Sequence, residues 1–172
     1  MANTYTQIHI HCVFAVKYRA SVIRDEWKQR LYSYITAIVQ NNGHKMLCIN
    51  GMPDHLHMFF GLNVNQSVSD LMRIVKGESS EWINLQKFNT DTFRWQEGYG
   101  GFSYSRSQVK KVCNYIENQE EHHRKKTFLE EYVDMLKAFG IDYKANYLFK
   151  NLSEVRAVQR FSTGRIFHIN AG

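Results

Sequence analysis

The chain has no run of 18 apolar residues, so no segment has the length and hydrophobicity of a membrane-spanning helix. Its first residues, Met-Ala-Asn-Thr-Tyr-Thr-Gln, carry neither the basic start nor the continuous apolar stretch of a secretory signal, and a cytoplasmic protein without membrane contact is expected. Cysteine is sparse: Cys12, Cys48 and Cys113 are odd in number, widely spaced and without a CxxC pair. This excludes a disulfide framework and a thiolate zinc site, and leaves three reduced thiols. Internal repeats and low-complexity segments are lacking as well, which removes repeat architectures.

What is present fits one globular domain. A chain of 172 residues with 44% hydrophobic content is long enough to bury a real core. The formal net charge of +6 favours a polyanionic partner such as nucleic acid. Basic residues fall in clusters beside aromatics: Lys17 and Arg19 near Tyr18; Arg106, Lys110 and Lys111 near Phe102 and Tyr104; Arg124, Lys125 and Lys126 near Phe128. Each cluster reads either as a solvated face or as a contact to phosphates.

Tyr5 to Val16 alternates as a strand, with Ile8, Ile10, Cys12, Phe14 and Val16 on one face and His9, His11, Val13 and Ala15 on the other. Arg24 to Asn42 has helical spacing at Trp27, Leu31, Tyr34, Ile35, Ile38 and Val39, and stops at Asn41-Asn42-Gly43. Lys45 to Asn50 and His55 to Leu62 read as strands joined by the turn Gly51-Met52-Pro53-Asp54, which holds the only proline. Ser67 or Ser69 can cap a second helix running to Leu85, with Val68, Leu71, Met72, Val75, Trp82 and Ile83 as its buried stripe. After the loop Asn89 to Glu97, a short strand spans Phe102 to Ser105. Ser107 then caps a third helix, Gln108 to Lys125, and another helix follows from Phe128 to Phe139.

Strand, helix, strand, strand, helix, strand is the split βαβ, ferredoxin-like order. The expected fold is therefore α+β: an antiparallel sheet with two helices on one face, the other face free, and an added C-terminal helix bearing Tyr115. First and third strands should be neighbours at the centre of that sheet. Parity then turns His9, His11, His55 and His57 to the uncovered side. Residues 1–144 would form the domain, and 145–172 a tail without a strong pattern that reads as an arm, a swapped strand or a partly disordered segment.

His55-Leu56-His57 lies within an apolar run and puts two imidazoles on one strand face, where they can give a divalent cation two ligands. Tyr115 and Gln119 are four residues apart, hence on one side of a helix. A tyrosine attacks a phosphodiester at neutral pH only with help, because its pKa is near 10 and a cation must polarise the phosphate oxygens. The amide oxygen of Gln119 offers a third ligand one turn away, about 6 Å along the helix. His9-Ile10-His11 is a second such triplet without a nucleophile near it; His11 reads as a packing or hydrogen-bonding residue of the site, with a place behind the metal ligands or a contact to DNA as the alternative. Alternative ligation by His122 or His123 stays open.

At these residues the chain resembles the single-tyrosine HUH transposases of the insertion-sequence 200/605 type. The resemblance runs from about Tyr5 to Tyr132 through five blocks in the family's order: His11 to Arg19, Pro53 to His57, Lys76 to Ser80, Gly98 to Ser103, and Tyr115 to Gln119. It implies that His55, His57 and Gln119 bind Mg²⁺ or Mn²⁺ and that Tyr115 forms a 5′-phosphotyrosine while freeing a 3′-hydroxyl. It also implies a homodimer that binds single-stranded DNA with hairpins, its tyrosine helix able to complete the partner's site. Lys17, Arg19, Lys76, Arg106, Lys110 and Lys111 are expected near DNA. Two other readings remain: a domesticated repeat-palindrome nuclease or nickase of the same chemistry, and an RNA-binding sheet, which would show aromatics where this chain has histidines.

Overall fold

A computed structural model describes residues 3–149. Strands β1 (His9–Ala15), β2 (Lys45–Met52), β3 (His55–Gly61) and β4 (Gly100–Tyr104) form one antiparallel sheet in the order β2-β3-β1-β4. The two central strands are thus β1 and β3, as the ferredoxin-like order requires. Their register sets His11 opposite Phe59, Val13 opposite His57 and Ala15 opposite His55. Strand β1 is shorter than its alternation suggests, since Tyr5 to Ile8 lie outside it and are exposed.

Helices α1 (Asp25–Asn41) and α2 (Val68–Gln86) cover one face. Trp27, Leu31, Ile35, Ile38 and Val39 from α1 meet Leu71, Met72, Val75 and Ile83 from α2 over Cys12, Phe14, Leu56, Met58 and Phe60. Ser67 is the cap of α2, accepting from the Asp70 amide at 3.1 Å. Tyr34 and Trp82 are only partly buried and stack on each other at 4.7 Å between the helices. No helix among the described residues is long and apolar enough to cross a membrane.

The second face departs from expectation. It is covered, by α3 (Val109–Glu117), α4 (Gln119–His123) and α5 (Phe128–Ala138). The reason lies in what that face carries besides histidines: Val13, Ala15, Phe59 and Phe102 are all buried under these helices. Val112 and Ile116 of α3 pack on Phe59 and Cys48, while Phe128, Tyr132 and Leu136 of α5 pack on Val13, Ala15 and Phe102. Apolar area removed from water stabilises by about 25 cal/mol per Å², so leaving such a face open would forfeit several kcal/mol.

The single helix expected over Gln108 to Lys125 is broken at Asn118, whose φ and ψ are −98° and 27°. Asn50 of β2 explains the break. Its side-chain amide donates to the carbonyls of Ile116 and Glu117, each at 3.0 Å, and takes over acceptors that a continuous helix would use. The cap also differs: Ser105, paired with Gln108 in a capping box, leads a short 3₁₀ turn into α3, where Ser107 was expected to act. Of the tail, Leu148 and Phe149 pack against the α5 cluster, and residues 150–172 lie outside the described residues.

Two glycines give opposite forecasts. A Cβ on Gly51 would sit 2.9 Å from Leu56 Cα and 2.7 Å from Leu56 Cδ2, across the hairpin that delivers His55. Gly51→Ala should therefore cost about 1–3 kcal/mol in urea unfolding. Gly77 is exposed in the middle of α2, and a methyl added there would meet nothing within 4 Å, so Gly77→Ala should gain about 0.5–1 kcal/mol. Equal effects of the two changes would contradict the packing described.

Candidate active site

Alternation along β3 turns His55 and His57 toward α3, α4 and α5, where both are buried. Each ring is held through its Nδ1. His55 Nδ1 lies 2.7 Å from Asp54 Oδ1, and Asp54 Oδ2 accepts from Arg19 at 3.4 Å. A carboxylate only accepts, so Nδ1 carries the hydrogen and the lone pair of Nε2 faces inward. Burial works to raise the Asp54 carboxyl, but the bond from His55 and the nearby Arg19 outweigh it and hold the group below its ordinary value.

His57 Nδ1 is 2.9 Å from His11 Nε2. When His57 is the donor of that bond, its Nε2 lone pair faces inward as well. Burial pushes both His11 and His57 well below the usual imidazole range, with the neighbouring histidines adding to the effect. Both rings are thus neutral, the form that ligates metals. The Nε2 atoms of His55 and His57 have no hydrogen-bond partner.

Glu131 of α5 points at them. Its Oε2 is 3.6 Å from His57 Nε2, 3.9 Å from His55 Nε2 and 3.0 Å from His123 Nε2. Ligating atoms of His55, His57, His123 and Glu131 all lie within 4.8 Å of one another. Burial raises the Glu131 carboxyl to about 7, opposed by His55 and reinforced by Asp54. Burial and His55 lower His123 to about 4, and its Nδ1 bonds the Lys126 carbonyl at 2.9 Å.

The other carboxylate oxygen belongs to the nucleophile candidate. Tyr115 donates its hydroxyl to Glu131 Oε1, and the Gln119 amide nitrogen donates to the same atom at 3.1 Å. Gln119 Oε1 stands 3.1 Å from His123 Nε2. The turn at Asn118 does not separate Tyr115 from Gln119: both converge on one carboxylate, and the Tyr115 ring centroid is 6.0 Å from that of His57. A cavity of about 350 Å³ opens beside Tyr115 and is lined by Tyr104, Lys111, His122, Lys126 and Phe139.

The seat of α5 decides where Glu131 arrives. Thr127 and Glu130 form a capping box at its start. Phe128 stacks on the His55 ring, their centroids 3.9 Å apart, and the Arg19 guanidinium lies 5.3 Å from the centroid of the same phenyl ring. Tyr132 passes directly over Gly100, where a Cβ would stand 2.7 Å from the tyrosine ring.

Tyr115, His55, His57 and Gln119 therefore come together as their spacing suggests, with His11 bonded behind His57. The expected DNA-contacting cations are dispersed. Lys111 lines the cavity at Tyr115, whereas Arg106 and Lys110 line a separate groove of about 910 Å³ with Lys45 and His9. Lys17 lies over the Tyr18 ring, Arg19 is engaged with Asp54, and Lys76 donates to the carbonyls of Gln96 and Gly98 at 2.6 and 2.8 Å. Sequence reasoning missed Glu131. Its signal was there: Glu131 falls three residues after Phe128 and five before Leu136, within the buried stripe of α5 rather than opposite it.

A family model described as "Transposase IS200 like" matches residues 4–119. The ISDra2 transposase TnpA of Deinococcus radiodurans is 25% identical over 120 residues, which span 67% of this chain and 86% of that protein. The transposase for insertion sequence element IS200 of Salmonella typhimurium is 28% identical over 127 residues, 70% of this chain and 82% of that one. A crystal structure of a Deinococcus radiodurans protein described as a transposase shares the fold with a TM-score of 0.54 and 24% identity, over 69% of this chain and 95% of the other. So does a REP-associated tyrosine transposase bound to a REP hairpin, at a TM-score of 0.54 and 14% identity, over 72% and 73%.

Replacing His11 by Leu leaves His57 Nδ1 buried without its partner. The variant should lose about 1–3 kcal/mol in chemical denaturation without added metal. An unchanged midpoint would mean that this bond does not hold the ring.

Proposed function

The chain belongs to the IS200-like transposase family, and from that premise we propose that it cuts and rejoins single-stranded DNA at hairpin-marked ends with Tyr115 as nucleophile. One observation carries the reading: the Tyr115 hydroxyl stands at a carboxylate that also faces two buried imidazole nitrogens without hydrogen-bond partners. Those orphaned atoms fit a divalent cation, Mg²⁺ or Mn²⁺, which His55, His57 and Gln119 would hold. When bound, such an ion supplies positive charge to the scissile phosphate and offsets the charge developing on it.

The rest is done by side chains of this chain. Tyr115 loses its proton to a neighbouring acceptor and its oxygen attacks phosphorus, forming a 5′-phosphotyrosine as the bond to O3′ breaks; the departing oxygen takes up a proton and becomes a 3′-hydroxyl. Strand transfer is the reverse, with a 3′-hydroxyl attacking the phosphotyrosine and returning the phenol. Each step exchanges one phosphoester for another, so no external energy source is needed. Asp54 and His11 keep the two imidazoles oriented from behind. Lys111 and Lys126 at the mouth of the cavity suit a phosphate backbone, and Tyr104 and Phe139 offer faces on which bases can stack. The enzyme is read as a homodimer that binds DNA hairpins. Tyr115 already stands at the histidines of its own chain, which supports cleavage in cis.

Incubation with Mg²⁺ or Mn²⁺ and single-stranded DNA carrying the palindromes that flank the gene should give a covalent adduct on denaturing gels. Tyr115→Phe should abolish the adduct and keep DNA binding. His57→Ala or chelation by EDTA should slow cleavage at least ~100-fold, in line with the several kcal/mol that a bound cation contributes. An adduct that survives Tyr115→Phe rejects the nucleophile.

A further inference from the structure

We infer that Glu131 and His123 are themselves ligands of the active-site cation, giving this chain a donor set of three imidazoles and a carboxylate that selects a first-row transition ion over Mg²⁺. This rests on the metal reading above and adds residues beyond position 119, where the family match ends.

Hydrogens are what the cluster lacks. His55 Nδ1 faces the Asp54 carboxylate, a pure acceptor, so that ring spends its hydrogen outward and turns a bare Nε2 inward; His123 does so when its Nδ1 donates to the Lys126 carbonyl, its Nε2 then facing Gln119 Oε1 at 3.1 Å as well as Glu131. His57 does the same when it donates to His11. Glu131 Oε2 has no hydrogen-bond donor of its own and meets these three nitrogens at 3.0 to 3.9 Å. With Glu131 ionised and the rings in these tautomers, the four lone pairs face one another without a hydrogen and repel, and a cation among them converts the repulsion into coordination.

Charge balance calls for the same ion. Among the described residues, every ion-pair partner of Glu131 is an imidazole, at positions 55, 57, 122 and 123. No lysine or arginine is among them, and an ionised carboxylate so deeply buried costs several kcal/mol unless compensated. The size of the cluster also fits. Two ligands on one ion, each bonded at about 2.0–2.2 Å, stand no more than about 4.4 Å apart, close to the 4.8 Å within which these atoms already lie. His122 is excluded from the set, since it faces Oε1 on the tyrosine side at 3.5 Å.

With the Gln119 oxygen beside them, the donors are three nitrogens and two oxygens. Mg²⁺ prefers an oxygen shell that keeps several waters, whereas imidazole-rich sites favour transition ions. Glu131 then acts through both of its oxygens, Oε2 toward the ion and Oε1 toward the Tyr115 hydroxyl.

The test is equilibrium titration of the full chain with Mn²⁺, read from the loss of the free-ion electron paramagnetic resonance signal, with Mg²⁺ as competitor. Wild type should bind one Mn²⁺ per chain and yield it only to a large excess of Mg²⁺. Glu131→Gln keeps the volume and the contact to Tyr115, and should weaken Mn²⁺ binding more than ~100-fold, beyond the about 10–100-fold expected from losing an outer contact to a ligand. Should that variant fail to fold by circular dichroism, His123→Gln reads the same site and should weaken binding at least ~10-fold. Wild-type affinity in either folded variant, with binding lost in His57→Ala, would overturn the inference and leave the two-histidine reading standing. No Mn²⁺ bound by wild type would overturn both.

Discussion

A strand that turns two imidazoles to one side must leave them wet or cover them, and covering them is costly unless every ring nitrogen finds a partner. This chain covers them. His55 and His57 lie under three helices, and the hydrogen-bonding capacity of their Nδ1 atoms is met from behind by Asp54 and His11. What remains unmet is directed to one point between β3 and α5. Burial of the histidines, the approach of Glu131 and the position of Tyr115 are thus consequences of one arrangement in which the Nδ1 atoms of His55 and His57 are held from behind and their Nε2 atoms are left free toward the centre.

The two faces of the sheet divide labour. On one, α1 and α2 close an almost wholly apolar core over Phe14, Leu56, Met58 and Phe60. On the other, apolar residues surround the polar cluster rather than mix with it: Phe59, Val112 and Ile116 lie to one side, and Val13, Phe102, Phe128 and Tyr132 to the other. Low dielectric surroundings strengthen any charge interaction made at the centre, and they also make an uncompensated carboxylate there expensive. The same hydrophobic packing that holds α5 down therefore sets the energetic stakes of the site beneath it.

Much of this was legible in the residues. Parity along β1 and β3 put His9, His11, His55 and His57 on a common face, and the order of elements put those strands side by side. Four-residue spacing brought Tyr115 and Gln119 together, and they do meet, although Asn118 interrupts the helix between them. What was hidden depends on contacts distant in sequence. Nothing local to residues 108–125 announces that Asn50, more than sixty residues away, will capture two carbonyls. The helices over residues 108–125 and 128–139 were legible as helices, but that they would pack on the second sheet face was not, because histidines made that face look polar. Glu131 was lost among the carboxylates Glu130 and Asp134 of the same helix, both exposed; only its place on the apolar stripe sets it apart.

Gly100 shows how far control of such a site can lie from its chemistry. Strand β4 carries no side chain at the point where Tyr132 crosses it, and a single methyl there would collide with that ring. Helix α5 can consequently ride low on the sheet, and its height governs how deeply the carboxylate one residue before Tyr132 reaches. The spacing between acid and imidazoles is regulated by a residue that touches neither of them, and bulk added at that distant fulcrum would lift the acid from its target while leaving every polar side chain chemically intact.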